Sequence, residues 1–249
     1  MHLTYLSLME NKKYIIFGAT GGMGGSIARS LAADGSNVHL VARDQQAVAD
    51  LANDLDGTFS VCDVTDHDQI RQAVADAGDR IDGLVYAVGS IVLKPLKSTT
   101  TEALTTAFDV NAAGALVAVQ AAEPALKTAK GSVLLFSTVA VGQGFANHAI
   151  VSMVKGAVEG LTRALSAELA PKVRVNAIAP SLSDTAMAAP LLANDTMRTS
   201  LAKVHPLGRL GEPSDVVGLA KVLLGDQGNW ITGQIIGVDG GRGALAGRG

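Results

Sequence analysis

The 249-residue chain has a single cysteine, Cys62, which excludes an internal disulfide and points to a reducing compartment, the cytoplasm. It has no excess of one charge. Twenty basic and 23 acidic residues leave a net charge of −3, and no basic run occurs, so neither nucleic acid nor an anionic membrane is an expected partner. No apolar run reaches the roughly 18 to 20 residues that cross a bilayer. The opening MHLTYLSLMENKKYIIF lacks a charged stretch ahead of its apolar residues, so no signal peptide is expected. Residues 1–8 read as a leader or an upstream start before Met9. Aromatic residues are scarce, at 4%, whereas Gly and Ala are abundant, which favours close backbone packing over a large aromatic pocket. No linker, repeat or low-complexity segment divides the chain, and no metal site is expected. The length suits one α/β domain, 1–249.

What the chain does have is alternation. KYIIFG, NVHLVA, TFSVCD, GLVYAV, SVLLFS, VRVNAIA and QIIGVD are mostly continuous apolar runs, as strands buried on both faces of a parallel sheet require. Helical patterns lie between them, near 23–34, 44–54, 66–78, 100–128, 147–169 and 213–225. The expectation is a doubly wound, mostly parallel, seven-stranded sheet flanked by helices, a Rossmann-type fold. The long irregular region at 181–212 reads as a substrate lid or as a surface excursion.

The first strand runs into FGATGGMGGSIARS. Gly18, Gly22 and Gly24 have the spacing G-x-x-x-G-x-G directly before a helix. Such a turn lets the backbone approach a pyrophosphate, and the helix N-terminus offers free N–H groups and a positive dipole end. At the end of the second strand, where adenosine ribose is read, Ala42 takes the usual acid's place and Arg43 follows. A guanidinium there suits a 2′-phosphate, so NADP(H) is favoured over NAD; the alternative is an Arg43–Asp44 surface pair. Asp63, after the third strand, either meets the adenine amino group or caps the helix near Thr65.

Together, GATGGMG, CDV, DVNAAGAL, LLFSTVA, the segment from Lys155 to Ser181 and ITGQIIGVDGG resemble the short-chain dehydrogenase/reductase family over nearly the whole chain. The resemblance implies nicotinamide binding and carbonyl–alcohol chemistry. It implies cofactor contacts at Gly18, Thr20, Gly22, Met23, Gly24, Asp63, Val64, Ala87, Gly89, Lys155, Pro180 and Thr185. It assigns the family's catalytic lysine to Lys155, its serine to Thr138 (with Ser137 adjacent) and its asparagine to Asn111. The family's tyrosine, four residues before the lysine, falls on Val151, which has no proton to give. Two further departures are YAVG at 86–89 and Pro180–Ser181.

His148 precedes Lys155 by seven residues, two helical turns, and so returns to nearly the same face. Enoyl-thioester reductases, a divergent branch, resemble this in placing their tyrosine at that longer spacing. His148 is thus a candidate proton donor, or it only flanks the helix start. Tyr86 is another candidate, or a core residue with a satisfied hydroxyl. Asn111 and Thr138 are catalytic or structural, with Asn111 bridging a helix kink in the latter case. The expected function is an NADP-dependent oxidoreductase with an atypical proton donor, acting on a small, largely apolar carbonyl, alcohol or enoyl substrate. The alternative is a non-catalytic NADP-binding protein, a sensor or partner subunit. The small and apolar outward faces of the 100–128 and 147–169 helices lead to an expected homotetramer, or a homodimer.

Overall fold

The strands are continuous apolar runs because their two faces feed two different cores. In a computed structural model that describes residues 9–245, Ile15 and Phe17 of the first strand enter one core while Tyr14 and Ile16 enter the other. Leu84 and Val85 divide in the same way, as do Val133 and Leu134. The period-two geometry of a strand makes this division automatic. The leader reading for residues 1–8 lies outside the described residues.

Seven strands result: β1 (Lys13–Phe17), β2 (Asn37–Ala42), β3 (Thr58–Val61), β4 (Gly83–Tyr86), β5 (Ser132–Phe136), β6 (Arg174–Pro180) and β7 (Ile235–Val238). All pair in parallel, in the order β3-β2-β1-β4-β5-β6-β7. The order reverses between β1 and β4, which opens a crevice at their carboxyl ends. One face is covered by α1 (Gly22–Ala33), α2 (Gln45–Asp54) and α8 (Val217–Leu224), through Ile27, Leu31, Val48, Leu51, Leu223 and Leu224. The other face is covered by α3 (His67–Ala77), α5 (Gly114–Ala129) and α6 (Ala149–Leu169), through Ile70, Val74, Ala118, Leu126 and Val158. Among the described residues no helix is long and apolar enough to cross a membrane.

The expected helix at 100–128 is not uniform. Thr100 caps α4 (Thr101–Phe108) by accepting from the Ala103 amide, and the chain then widens into a π turn, Asp109–Ala113, before α5. The Gly114 amide donates to the Asp109 carbonyl, five residues back, as a π turn requires. Periodicity along the sequence does not reveal a one-residue widening. The 181–212 segment is not irregular throughout: it holds a 3₁₀ stretch, Ala186–Leu192, and α7 (Asp195–Lys203). The last predicted helix starts as a 3₁₀ turn, Pro213–Val216, before α8.

Candidate cofactor and catalytic site

The glycine turn is built for close approach. Gly18 has φ +78°, in the left-handed region, and a β carbon there would sit 3.0 Å from the Ala87 carbonyl. A β carbon on Gly24 would overlap the Gly18 carbonyl. The α1 N-terminus has no side-chain cap and no acidic residue in its first turn, so its first amides are left for a ligand. Thr20 and Gly22 are exposed and Met23 is half-buried. Thr185 lies against this turn: its methyl group would be 3.0 Å from a β carbon at Gly22. Its hydroxyl accepts from the Ala188 amide at 3.3 Å, which fixes the side chain at the start of the 3₁₀ stretch. Pro180, at the end of β6, accepts from the Val139 amide at 3.2 Å.

At the carboxyl end of β2, Asp44 does not pair with Arg43. It caps α2 by accepting from the Ala47 amide at 3.0 Å, and Arg43 is exposed with no ion pair among the described residues. Asp63 does not cap α3; Asp66 does, through the Asp68 and Gln69 amides. Asp63 accepts instead from the amide and hydroxyl of Thr65, at 3.0 and 2.8 Å. Those bonds hold its carboxyl below the usual range, and the nearby Arg43 charge lowers it further. Val64 beside it is buried.

Beyond the carboxyl end of β4 three predicted residues meet. A β carbon at Gly89 would lie 2.9 Å from Asn111 Oδ1 and 3.2 Å from Lys155 Nζ. The Lys155 ammonium is buried and donates to the Phe136 carbonyl at 2.9 Å. Burial pushes its pKa down to about 8. Asn111 sits in the π turn, where its Nδ2 donates to the Ala107 carbonyl (2.8 Å) and to Ser90 Oγ (3.0 Å). It thus joins the widened helix to the segment after β4. Ala87 holds that segment to β1 by donating its amide to Phe17.

Tyr86 is a core residue with a satisfied hydroxyl. Its buried hydroxyl donates to the Val110 carbonyl at 2.8 Å, and burial pushes its pKa above the ordinary tyrosine value. It locks the π turn against β4, and Gly114 gives the ring room. Ser137 is also spent elsewhere, donating to Glu159 on α6 at 2.8 Å. Thr138 remains: it is half-buried and its hydroxyl accepts from the Ala140 amide at 3.3 Å.

Val151 is buried in the first turn of α6. Ser152, its neighbour, donates to the Ala140 carbonyl at 2.8 Å and ties that turn to the loop after Thr138. His148 immediately precedes α6 and gives it no side-chain cap. Its Nδ1 lies 2.7 Å from the Ala146 carbonyl, so Nδ1 carries a proton and Nε2 is the nitrogen left to exchange one. Phe145 packs edge-on against the imidazole, with centroids 5.3 Å apart. The sequence reading missed Ser90 and Arg242. No spacing marks Ser90, but Arg242 is a lone cation among Gly240, Gly241 and Gly243, which is a legible signal.

Residues 18–242 match the family model described as Enoyl-(Acyl carrier protein) reductase. A chloroplastic tropinone reductase homolog of Arabidopsis thaliana is 34% identical over 91% of this chain and 74% of its own. L-xylulose reductase of Bos taurus is 31% identical over 94% of this chain and 97% of its own. Among solved structures, a gluconate 5-dehydrogenase from Burkholderia cenocepacia in complex with NADP and tartrate superposes with a TM-score of 0.91. It is 25% identical over 98% of this chain and all of its own. The chain belongs to the short-chain dehydrogenase/reductase family and is an NAD(P)-dependent oxidoreductase.

Proposed function

We propose that the protein is an NADP-dependent reductase or dehydrogenase of a small, largely apolar carbonyl, alcohol or enoyl compound, with His148 rather than a tyrosine exchanging the proton. The observation that carries the reading is Lys155. A buried ammonium with one carbonyl partner and no ion pair among the described residues is costly, and it fits a place where a ligand completes its hydrogen bonds. Gly18, Thr20, Gly22, Met23 and Gly24 would hold the pyrophosphate, Arg43 the 2′-phosphate, and Asp63 with Val64 the adenine. Ala87, Gly89, Lys155, Pro180 and Thr185 would hold the nicotinamide end. The bound nicotinamide supplies or takes up a hydride. The protein's own part is to hydrogen-bond the substrate oxygen through Thr138, exchange a proton at His148 Nε2 and hold a water at Asn111. The NADP in the Burkholderia structure supports the cofactor choice, and the description of the family model keeps enoyl thioesters among the substrates to test.

The 181–212 segment is the lid of this site, and the protein works in the cytoplasm. Exposed Phe108, Leu116 and Met153, on α4, α5 and α6, support a homotetramer, with a dimer as the smaller alternative. Light scattering showing a monomer at micromolar concentration would refute that assembly.

The buried Val151 favours one second reading, a non-catalytic NADP-binding protein. NADPH oxidation against a panel of ketones, aldehydes and enoyl thioesters decides between the two. Turnover of any member supports the enzyme; tight NADPH binding without oxidation supports the second reading.

A further inference from the structure

Of the arginines among the described residues, six are engaged in ion pairs: Arg29, Arg71, Arg80, Arg163, Arg198 and Arg209. Arg174 spends its guanidinium on the carbonyls of Leu223, Gly225 and Ile231. Two, Arg43 and Arg242, make no ion pair among the described residues. Arg43 stands at the adenosine end. Arg242 stands at the opposite end, and the functional reading above gives it no task.

The chain after β7 is folded back by Asp239, whose carboxylate accepts from the Gly241 and Gly243 amides, each at 2.8 Å. Gly240 and Gly241, at φ +62° and +87°, make that turn possible. The turn rests on the loop after β5: a β carbon at Gly243 would lie 3.3 Å from the side chain of Val139, the residue after Thr138. It also holds the end of the 181–212 segment, since the Leu207 amide donates to the Gly240 carbonyl at 3.1 Å. Arg242 therefore stands where the Thr138 loop and the lid segment come together.

Its guanidinium is fixed there. It lies over the Phe145 ring, 4.6 Å from the centroid, and the same ring packs edge-on against His148. Nη1 makes one long bond, 3.3 Å, to the Val204 carbonyl. No carboxylate among the described residues pairs with it. A guanidinium has five N–H donors in a rigid plane, so most of this one's donors remain unused. Arg198 and Arg209, on the lid segment itself, are each neutralised by an aspartate, Asp184 and Asp215. Arg242, held over an aromatic ring with most of its donors unused, is pre-organised for an oxyanion.

We propose that Arg242 recognises an oxyanion on the substrate, so that the natural substrate is an anionic carbonyl compound, a carboxylate or phosphate ester with an apolar body. This rests on the oxidoreductase reading above and names its substrate class.

The test uses matched pairs that share a carbonyl and differ in charge: pyruvate and levulinate against their methyl esters, and dihydroxyacetone phosphate against dihydroxyacetone. The charged member of at least one pair is expected to have a kcat/KM at least about ten-fold higher. Arg242→Met keeps the packing on Phe145 and removes the charge. It should lower kcat/KM for the charged member, chiefly through KM, at least ten-fold more than for the neutral one. Arg242→Lys should retain part of the preference, and circular dichroism checks that both variants fold. NADPH affinity, measured by fluorescence titration, should stay within two-fold in both. Which pair responds separates carboxylate from phosphate. No charge preference in the wild type, or an equal loss on both members in Arg242→Met, overturns the proposal. If NADPH binds but no compound turns over, the enzyme reading fails by itself. Succinate and inorganic phosphate titrated into the NADPH-bound protein then decide: saturable binding lost in Arg242→Met supports the anion site, and its absence in the wild type overturns it.

Discussion

The two ends of the crevice differ in how they are built. At the glycine turn, function and fold use the same atoms: main-chain amides, a helix N-terminus and glycines packed so closely that a side chain would displace the backbone. At the α6 end, function would rest on single side chains carried by a loop and the start of a helix: Thr138, His148 and the missing partner at Val151. A backbone site cannot drift without loss of the fold. A side-chain site can lose one group and keep every contact around it. On the proposed reading, this chain keeps the first kind of site and alters the second.

The sharpest way to break that comparison is to damage the backbone site. Gly24→Val puts a branched side chain where the Gly18 carbonyl already lies. NADPH affinity should fall about 100-fold or more, equivalent to ~2.7 kcal/mol, in a fluorescence titration, with circular dichroism checking the fold. His148→Ala probes the other end. It should lower kcat about 100-fold, the usual scale for a general acid, and leave NADPH affinity within two-fold. An unchanged kcat would remove His148 from the mechanism and leave the cofactor site standing.

Arg43→Ala has a smaller and more selective effect. The wild type should bind NADPH at least about ten-fold tighter than NADH, ~1.4 kcal/mol, and the variant should lose most of that preference. Equal dissociation constants in the wild type would contradict the role of Arg43.

The smallest effect lies outside the site. His39 is buried between Thr58 Oγ1 (2.8 Å) and Ser60 Oγ (3.0 Å), and burial pushes its pKa down to about 4. The unfolded chain takes up this proton near pH 6.5, the folded chain only near pH 4. Its contribution to stability is therefore complete above pH 6.5 and falls as the pH drops from 6.5 toward 4. Denaturant midpoints across that window should decline in the wild type and decline less in His39→Asn.

The sequence made the parallel sheet legible because each strand is a continuous apolar run, and made the cofactor turn legible because its glycines are close in the chain. The Lys155–Asn111–Gly89 meeting was legible only through family resemblance, since its members come from three separate elements. A helix kink bridged by Asn111 was one of two readings of that residue, but the π form of the turn was not legible. It arises from tertiary contacts, the Tyr86 hydroxyl on Val110 and Asn111 on Ser90, that no local pattern encodes. Neither was the bond from Ser137 to Glu159, twenty-two residues away in the chain.

The central claim is that this site retains its cofactor geometry and lacks one proton donor, at position 151. Val151→Tyr tests it directly. With a simple neutral ketone and saturating NADPH, the wild type should turn over slowly or not at all. The variant should gain at least about ten-fold in kcat, with NADPH affinity within two-fold of the wild type. A wild type that reduces the ketone as fast as the folded Val151→Tyr variant would contradict the account.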